Sequence, residues 1–233
     1  MLKKNNLFNK ESVCIFTDAS LYKKDGIVYI CSGACVYVGD LLIDQTYEIL
    51  PNHTIQQGEL YAILLGVLEA VKYKDCFRYI RLFSDSLTSI LALKERIFKW
   101  VCNKDSLGNL RGYDNNVISN QDYIMHIINT ILMYNIRIEL YHTKGHIKPY
   151  DNDDLLYAKE VFAKSNQIYQ DIDLELIRAV TIGNNQVDRY TGFMLYQYYS
   201  QYLYLTRLQS PVEFGCNDFD IQRYRGLITK GYM

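Results

Sequence analysis

The stretch Val13-Cys14-Ile15-Phe16-Thr17-Asp18-Ala19-Ser20 decides the fold. Its first four residues are apolar without polar alternation, which is typical of a strand covered on both faces of a sheet. A single carboxylate and two small residues follow. We therefore predict that Asp18 lies at the end of a central strand, although an aspartate at this place can equally begin a solvent-exposed turn.

The segments that follow predict a three-stranded antiparallel meander and then a helix. β-branched and aromatic runs at 28–38 and 41–50 are joined by a Gly-Asp pair, which is typical of a hairpin. After Pro51, Thr54-Ile55-Gln56-Gln57 fits a capping box, and apolar residues recur at helical spacing over 56–73.

Strand and helix patterns then alternate along the chain. Alternation of this kind implies parallel neighbouring strands and right-handed crossovers, so the sheet becomes mixed. The predicted elements are a strand at 78–84, a helix at 87–96, an irregular segment at 97–117, a helix at 121–134, a strand at 135–142, helices at 155–168 and 174–180, and a last helix at 185–205.

Three further carboxylates lie where this fold would bring them to the first. Glu59 is expected in the first turn of the helix, on its apolar side, where a carboxylate is costly unless a cation meets it. Asp85 ends an apolar strand as Asp18 does, and Asp188 begins the last helix. Taken singly, each has a simpler explanation as a helix cap or a first-turn acid.

Four carboxylates that converge without a counter-ion would repel one another and raise one another's pKa values. Two divalent cations about 4 Å apart would remove that conflict and would suit phosphodiester cleavage. Oxygen ligands favour Mg²⁺ or Mn²⁺ over zinc. The set therefore predicts a two-metal site.

The segment His142-Thr143-Lys144-Gly145-His146 offers a second group for chemistry. His146 follows a strand and a glycine, so we expect it in a loop where it can carry protons or assist product release. His142 is interpreted as structural. No CxxC accompanies the two histidines, which disfavours a zinc site.

Composition sets the outer limits of these interpretations. The chain has 233 residues, 49% of them hydrophobic, and a net charge of -1, so any nucleic-acid contact must come from a local basic patch. The six cysteines are interpreted as reduced thiols. No apolar run approaches the length of a membrane span, and we expect a cytoplasmic protein without a membrane partner, with a monomer favoured.

Five motifs resemble the ribonuclease H family and occur in that family's order. The resemblance covers about residues 12–146 and 184–205. Any one motif alone would be weak evidence for it. The motifs are Phe16-Thr17-Asp18-Ala19-Ser20, Gly58-Glu59-Leu60-Tyr61-Ala62, Phe83-Ser84-Asp85-Ser86, Lys144-Gly145-His146 and Asn184-x-x-x-Asp188.

The resemblance implies an α/β ribonuclease H-like fold, with a mixed five-stranded sheet flanked by helices, that cuts the RNA strand of an RNA–DNA hybrid with two Mg²⁺ ions. Mn²⁺ is a possible substitute. The resemblance also implies that the metal ligands are Asp18, Glu59, Asp85 and Asp188, and that His146 is the loop histidine that assists turnover. Nucleic-acid contacts are expected from the neighbouring polar residues Ser20, Gln57, Ser86 and Asn184.

The segment 94–113 falls where some members of that family carry a basic protrusion that grips the hybrid. It has an excess of three positive charges. Lys99, Trp100 and Lys104 are expected to hold phosphates and to offer an aromatic face. The alternative is a charged, solvent-exposed loop.

Some positions depart from the family pattern and leave the substrate open. Ala19 replaces a usual glycine, while Leu87 and Ile55 stand where polar groove contacts are common. We expect a single domain over 1–205, with a helical insertion at 147–183, and a C-terminal extension at 206–233. The alternatives to a hybrid-specific enzyme are a nuclease of the same fold that acts on DNA structures and a catalytically silent module that binds nucleic acid or a protein.

Overall fold

The computed structural model describes residues 11–24, 26–202 and 228–229, which form one mixed sheet between helices. In chain order the strands are β1 (Ser12–Lys24), β2 (Ile27–Val38), β3 (Leu41–Pro51), β4 (Tyr79–Ser84), β5 (Ile138–His142) and β6 (Ile228–Thr229). Across the sheet the order is β3-β2-β1-β4-β5-β6. The first three strands are antiparallel neighbours, while β1, β4, β5 and β6 run parallel.

The helices alternate with the strands after the meander. They are α1 (Ile55–Tyr73), α2 (Leu87–Leu91), α3 (Ile97–Cys102), α4 (Gln121–Tyr134), α5 (Asn152–Asn166) and α6 (Leu174–Tyr202). A π-helical turn, Ala92–Arg96, joins α2 to α3.

The two faces of the sheet are covered by different helices. On one face α1 and α4 build an aliphatic core in which Ile15, Leu64 and Ile131 are fully or almost fully buried. On the other face α5 and α6 build a core that includes Phe16. Because successive strand residues point to opposite faces, the buried run that begins β1 supplies both cores, as its sequence predicted.

The core under α5 and α6 contains a row of stacked aromatic rings. Phe16 stacks on Phe83 with ring centroids 4.8 Å apart, Phe83 stacks on Tyr141 at 5.2 Å, and Tyr141 stacks on Phe162 at 5.8 Å. The four rings come from β1, β4, β5 and α5 in that order. The row therefore ties the middle of the sheet to α5.

The start of α1 is fixed by its cap and by a glycine. The predicted capping box is confirmed: the Gln57 amide N–H donates to Thr54 Oγ1 over 3.2 Å, and the Thr54 amide N–H donates to Gln57 Oε1 over 2.8 Å. At Gly58 a Cβ would lie 2.3 Å from Ile30 Cγ2. The absent side chain lets α1 lie directly on β2, where Ser32 Oγ donates to the Gly58 carbonyl.

The predicted fold class is confirmed, with β6 as a short addition to the expected five strands. Ile228–Thr229 comes from the predicted C-terminal extension and pairs with β5. The rest of 206–233 lies outside the described residues, so the predicted division at residue 205 stays a prediction.

Three predicted boundaries are wrong. β1 continues to Lys24, so Asp18 lies within the strand and not at its end. The helix expected to end at residue 96 continues through the π-helical turn to Cys102. The helices expected at 174–180 and 185–205 are one continuous helix, α6.

The unbroken α6 has a packing cause. A Cβ at Gly183 would lie 2.4 Å from the Phe16 ring, so the absent side chain lets α6 lie against the sheet at this point. Asn185 Nδ2 donates to the Ile147 carbonyl over 2.7 Å. Tertiary contacts thus override the low helix propensity of this Gly-Asn-Asn segment.

Two further predictions from composition concern membrane spans and cysteines. Within the described part of the chain, no helix combines the length and the apolar character needed to cross a membrane. The cysteines in that part are free thiols, as predicted; Cys14, Cys31 and Cys35 are buried, while Cys76 and Cys102 are exposed.

Candidate metal centre

Asp18 and Asp85 are brought together by the parallel pairing of β1 with β4. Thr17 pairs with Ser84, so the residues that follow them lie side by side where β4 ends. Thr17 Oγ1 donates to the Phe83 carbonyl over 3.2 Å and holds this end of the pair closed. Because β5 ends level with β4, the loop that carries His146 leaves the sheet at the same edge.

Glu59 reaches this edge from α1. Carboxylate oxygens of Asp18, Glu59 and Asp85 all lie within 4.8 Å of one another. The helix begins at Ile55, so Glu59 lies in its second turn and not in the first turn as predicted. One Glu59 carboxylate oxygen is buried without a hydrogen-bond partner in the described structure.

Asp188 lies at the mouth of the cluster on α6. The four predicted ligands and His146 line one cleft, and His146 Nδ1 is 3.6 Å from Asp188 Oδ2. Thr191 Oγ1 donates to the Asp188 carbonyl over 3.0 Å and lies 2.8 Å from Ser20 Oγ. These contacts fix α6 against β1, so all four predicted ligands face one space.

Burial and mutual repulsion perturb these carboxyl groups. Burial, followed by the charges of Asp85 and Asp188, raises the pKa of Asp18 to about 7. Burial, followed by the charges of Asp18, Asp85 and Asp188, raises the pKa of Glu59 to about 9. Burial also raises the pKa of Asp85, against the opposing effect of His146. The protein alone therefore cannot keep all these groups ionised at neutral pH.

The residues present fit one or two divalent cations. Carboxylates that are buried or partly buried, with a shared space and an unpartnered oxygen, are the donor set that Mg²⁺ and Mn²⁺ bind. Asp18, Glu59 and Asp85 would hold such an ion, with Asp188 at its exposed side. A bound cation would reverse the raised pKa values, because it favours the ionised form of every ligand.

His146 lies in the predicted loop with an unusual backbone. Its φ is 56°, in the left-handed region, and its side chain is 80% exposed. A non-glycine residue in this region is uncommon and carries strain that the surrounding structure must hold. The imidazole consequently stands over the mouth of the cleft, where it can exchange protons with solvent.

The position of Asp85 is braced by His142 and by two residues of α5 that the sequence did not indicate. His142 Nε2 lies 3.2 Å from the Asp85 carbonyl, and its Nδ1 lies 2.9 Å from Ser165 Oγ. Asn166 accepts from the His142 amide over 2.9 Å and donates to the His142 carbonyl over 2.7 Å. His142 is buried, in line with its interpretation as structural, and α5 supplies its support.

Gly145 gives Asp85 its space. A Cβ at Gly145 would lie 2.2 Å from Asp85 Oδ2, a distance at which one of the two must move. The glycine of the Lys144-Gly145-His146 motif is thus needed for the carboxylate and not only for the loop. No sequence signal separated these two roles.

The polar residues predicted to contact nucleic acid differ in exposure. Ser20 lines the cleft, and Ser86 follows Asp85 with its Oγ 2.8 Å from Ser89 Oγ. Gln57 uses its side-chain carbonyl in the capping box. Asn184 is buried, one helical turn before Asp188. Their contacts with nucleic acid stay predictions.

The segment 94–113 is more ordered than a solvent-exposed loop. Arg111 is held by Asp105, with Nη2 2.6 Å from Oδ2, and Trp100 packs partly buried against the aliphatic core. Lys99 lies over the Tyr113 ring, 5.2 Å from its centroid. The predicted roles of Lys99, Trp100 and Lys104 in binding phosphates stay predictions.

Three features identify the architecture: the order of the strands across the sheet, the three-stranded antiparallel meander, and the cleft beside the end of β4 that the four acids line. The chain has a ribonuclease H-like fold. The fold that the sequence resemblance implied is therefore present in the structure.

Solved structures with a similar fold include ribonuclease H domains. A foamy viral protease-reverse transcriptase in complex with RNA/DNA hybrid matches 71% of this chain and 21% of its own, at 15% identity and a TM-score of 0.49. The PFV RNase H domain matches 67% and 94% at 17% identity and 0.45. LC9-RNase H1, a type 1 RNase H with the type 2 active-site motif, matches 67% and 74% at 12% identity and 0.46.

No protein-family profile matches the chain, and no curated protein matches it significantly. At these identities the likeness to solved structures concerns the fold, so arguments about function rest on the chain's own residues.

Proposed function

We propose that the chain is a metal-dependent endonuclease that hydrolyses the RNA strand of RNA–DNA hybrids. The carboxylate cluster carries this proposal, since oxygens of Asp18, Glu59 and Asp85 lie within 4.8 Å of one another with raised pKa values. Such a cluster of carboxylates destabilises the folded protein by itself. A phosphodiesterase would use the cluster to bind a pair of catalytic metal ions.

Each residue has a role that its position allows. A bound pair of divalent cations would supply an activated water and charge stabilisation for the leaving oxygen. Asp18 and Asp85, fixed by β1 and β4, would hold the ions in a constant place, with Glu59 closing the buried side. His146, exposed beside Asp188, would give or take a proton at the mouth of the cleft.

The substrate is inferred from the five motifs, and one observation favours a second candidate. Ile55 lines the cleft with 41% of its surface exposed, and Leu87 is 40% exposed just after Asp85. Neither can donate a hydrogen bond to the 2′-hydroxyls or base edges of a minor groove. A nuclease of this fold that acts on DNA structures is therefore the second candidate.

One digestion series tests both candidates. A single labelled sequence is offered as hybrid duplex, DNA duplex, branched DNA and RNA duplex, each with Mg²⁺, with Mn²⁺ and with EDTA. We expect cleavage of the RNA strand of the hybrid that requires the metal and is lost in Asp85→Asn. Cleavage confined to DNA would support the second candidate, and no cleavage of any substrate would refute a nuclease.

A further inference from the structure

The cleft that holds the carboxylates is also lined by apolar and aromatic side chains. Its volume is about 840 Å³, which exceeds the space that a pair of ions about 4 Å apart would fill. We use the name outer cleft for the part of this cleft bordered by Leu21, Tyr22, Ile55, Leu195 and Tyr196.

The elements that supply carboxylates also supply the walls of the outer cleft. Tyr22 follows Asp18 by four residues on the same face of β1, about 13 Å along a strand. Tyr196 follows Asp188 by eight residues on α6, about 12 Å along a helix. Ile55 precedes Glu59 by one turn of α1. The two tyrosines therefore lie at similar distances from the metal site on different walls.

The open edge of β1 explains why this space exists. β4 ends at Ser84, so its ladder with β1 stops at Thr17 while β1 continues to Lys24. The stretch of β1 after Asp18 thus borders the cleft instead of a neighbouring β4. Gly192 on α6 also lines the cleft and adds no side chain to fill it.

The chemistry of these walls suits the face of a base and not its edge. Leu21, Ile55 and Leu195 offer no hydrogen-bond donor for base edges. Tyr22 is 41% exposed and Tyr196 is 71% exposed, and aromatic rings bind bases by stacking without regard to sequence. A base inside a duplex shows only its edges, so a base must leave the stack to meet these rings.

We propose that the outer cleft binds an unstacked base of the strand being cut, a few nucleotides from the scissile phosphate. This inference rests on the proposed function, because the carboxylate cluster sets where the phosphate lies. It names the substrate class as a hybrid whose cleaved strand is unpaired next to the cut, at a strand end or a junction.

Binding is measured without cleavage, by fluorescence anisotropy in Ca²⁺. The probes are a blunt RNA–DNA hybrid, the same hybrid with a three-nucleotide single-stranded RNA extension at either end, and that extension with abasic residues. We expect one extension to tighten binding about tenfold, within the range for base stacking on an aromatic ring. The abasic extension and the variants Tyr22→Ala and Tyr196→Ala should lose this gain.

Three controls separate stacking from other causes. Tyr22→Phe and Tyr196→Phe keep the ring and should keep the gain. Tyr157→Ala removes an exposed tyrosine of α5 outside the cleft and should bind all probes as the unchanged protein does. Thermal unfolding of each variant confirms that it is folded.

The outcomes for this inference and for the nuclease are separable. Three results would overturn the proposal that the outer cleft binds a base. They are equal binding of blunt and extended hybrids, a gain in affinity that survives abasic residues, and a gain that survives both alanine variants. The nuclease is tested in the same samples by replacing Ca²⁺ with Mg²⁺, and absence of cleavage there would overturn the proposed function whatever the anisotropy shows.

Discussion

Acidic side chains in two regions of this molecule have surroundings that shift their pKa values in opposite directions. In the loop between α3 and α4, Asp105 accepts hydrogen bonds from Arg111, from Asn109 and from backbone amides. Arg111, as the largest cause, lowers the pKa of Asp105 to about 2. In the carboxylate cluster, Asp18 on β1 and Glu59 on α1 have raised pKa values instead.

The difference shows what each group is for. The chain supplies its own cation and donors to the aspartate that orders a loop, so that site is complete. It supplies repulsion, burial and one unpartnered oxygen to the carboxylate cluster, so that site fits a cation from outside. The predictions below test this contrast.

The largest expected effect comes from removing one negative charge from the carboxylate cluster. Asp18→Asn or Asp85→Asn should lower metal-dependent cleavage about a thousandfold or more, since a metal ligand is lost. The metal-free protein should be no less stable, because one repulsive charge is gone. Steady-state cleavage and thermal unfolding in EDTA measure the two effects.

Asp105→Asn is the matched control for these variants. It should lower the melting temperature, because it weakens the bonds to Arg111, and leave cleavage nearly unchanged. Equal behaviour of Asp105→Asn and Asp85→Asn in both measurements would contradict the contrast.

The pH dependence of stability should also differ between the sites. The folded pKa values of Asp18 and Glu59, about 7 and about 9, lie above the ordinary values of 3.8 and 4.5. Between these limits the folded state binds more protons than the unfolded state, so stability falls as pH rises, by at most about 1.4 kcal/mol per pH unit for each group. Asp105 does the opposite, since its contribution is lost as pH falls toward 2.

Added Mg²⁺ should therefore raise the melting temperature more at pH 8 than at pH 5, where protons compete for the carboxylates. Thermal unfolding with Mg²⁺ and with EDTA at both pH values measures this. In Glu59→Gln the difference between the two pH values should shrink. A metal effect independent of pH would argue against the cluster as the binding site.

Two glycines that face aspartates give a smaller, matched test. Gly145→Ala should push Asp85 aside and weaken metal binding by about 10 to 100-fold, which Ca²⁺ titration calorimetry can measure. Gly112→Ala places a methyl 2.8 Å from Asp114 Oδ1, but that side chain is exposed and can move. Gly112→Ala should therefore bind Ca²⁺ normally, and a comparable loss in both variants would refute the role of Gly145.

The smallest effect is expected from the brace behind Asp85. Asn166→Ala removes hydrogen bonds to the His142 backbone and to the Phe162 carbonyl and should cost about 2 kcal/mol of unfolding free energy. Asn116→Ala, which loses an exposed bond to Asp114, should cost much less. Chemical denaturation of both variants provides the comparison. Similar losses of unfolding free energy would contradict a stabilising role for the buried hydrogen bonds of Asn166.

Sequence patterns predicted this fold where local signals and tertiary contacts agree. The buried run of β1, the capping box at Thr54 and the helix from Gln121 to Tyr134 all follow from composition and spacing. The approach of Asp18 to Asp85 was predicted because neighbouring parallel strands carry them to the same edge, while Glu59 and Asp188 reach the same cleft from α1 and α6.

The errors arise where contacts distant in sequence decide. Two helices were predicted where α6 is continuous, because the close packing of Gly183 against the Phe16 ring is not visible in the local sequence. The continuation of β1 to Lys24 accompanies its pairing with β2, a contact that the residues of β1 alone do not signal. Asn166 lies 24 residues from His142, and no local pattern signals a side chain that caps a strand from that distance.

The row of stacked rings gives the two cores separate optical signatures. The single tryptophan, Trp100, packs against the aliphatic core under α1 and α4, so its emission reports on that half. The stacked rings from Phe16 to Phe162 lie in the other core, and their fixed packing contributes to near-ultraviolet circular dichroism. Following both signals through one denaturation curve would reveal whether the halves melt in concert.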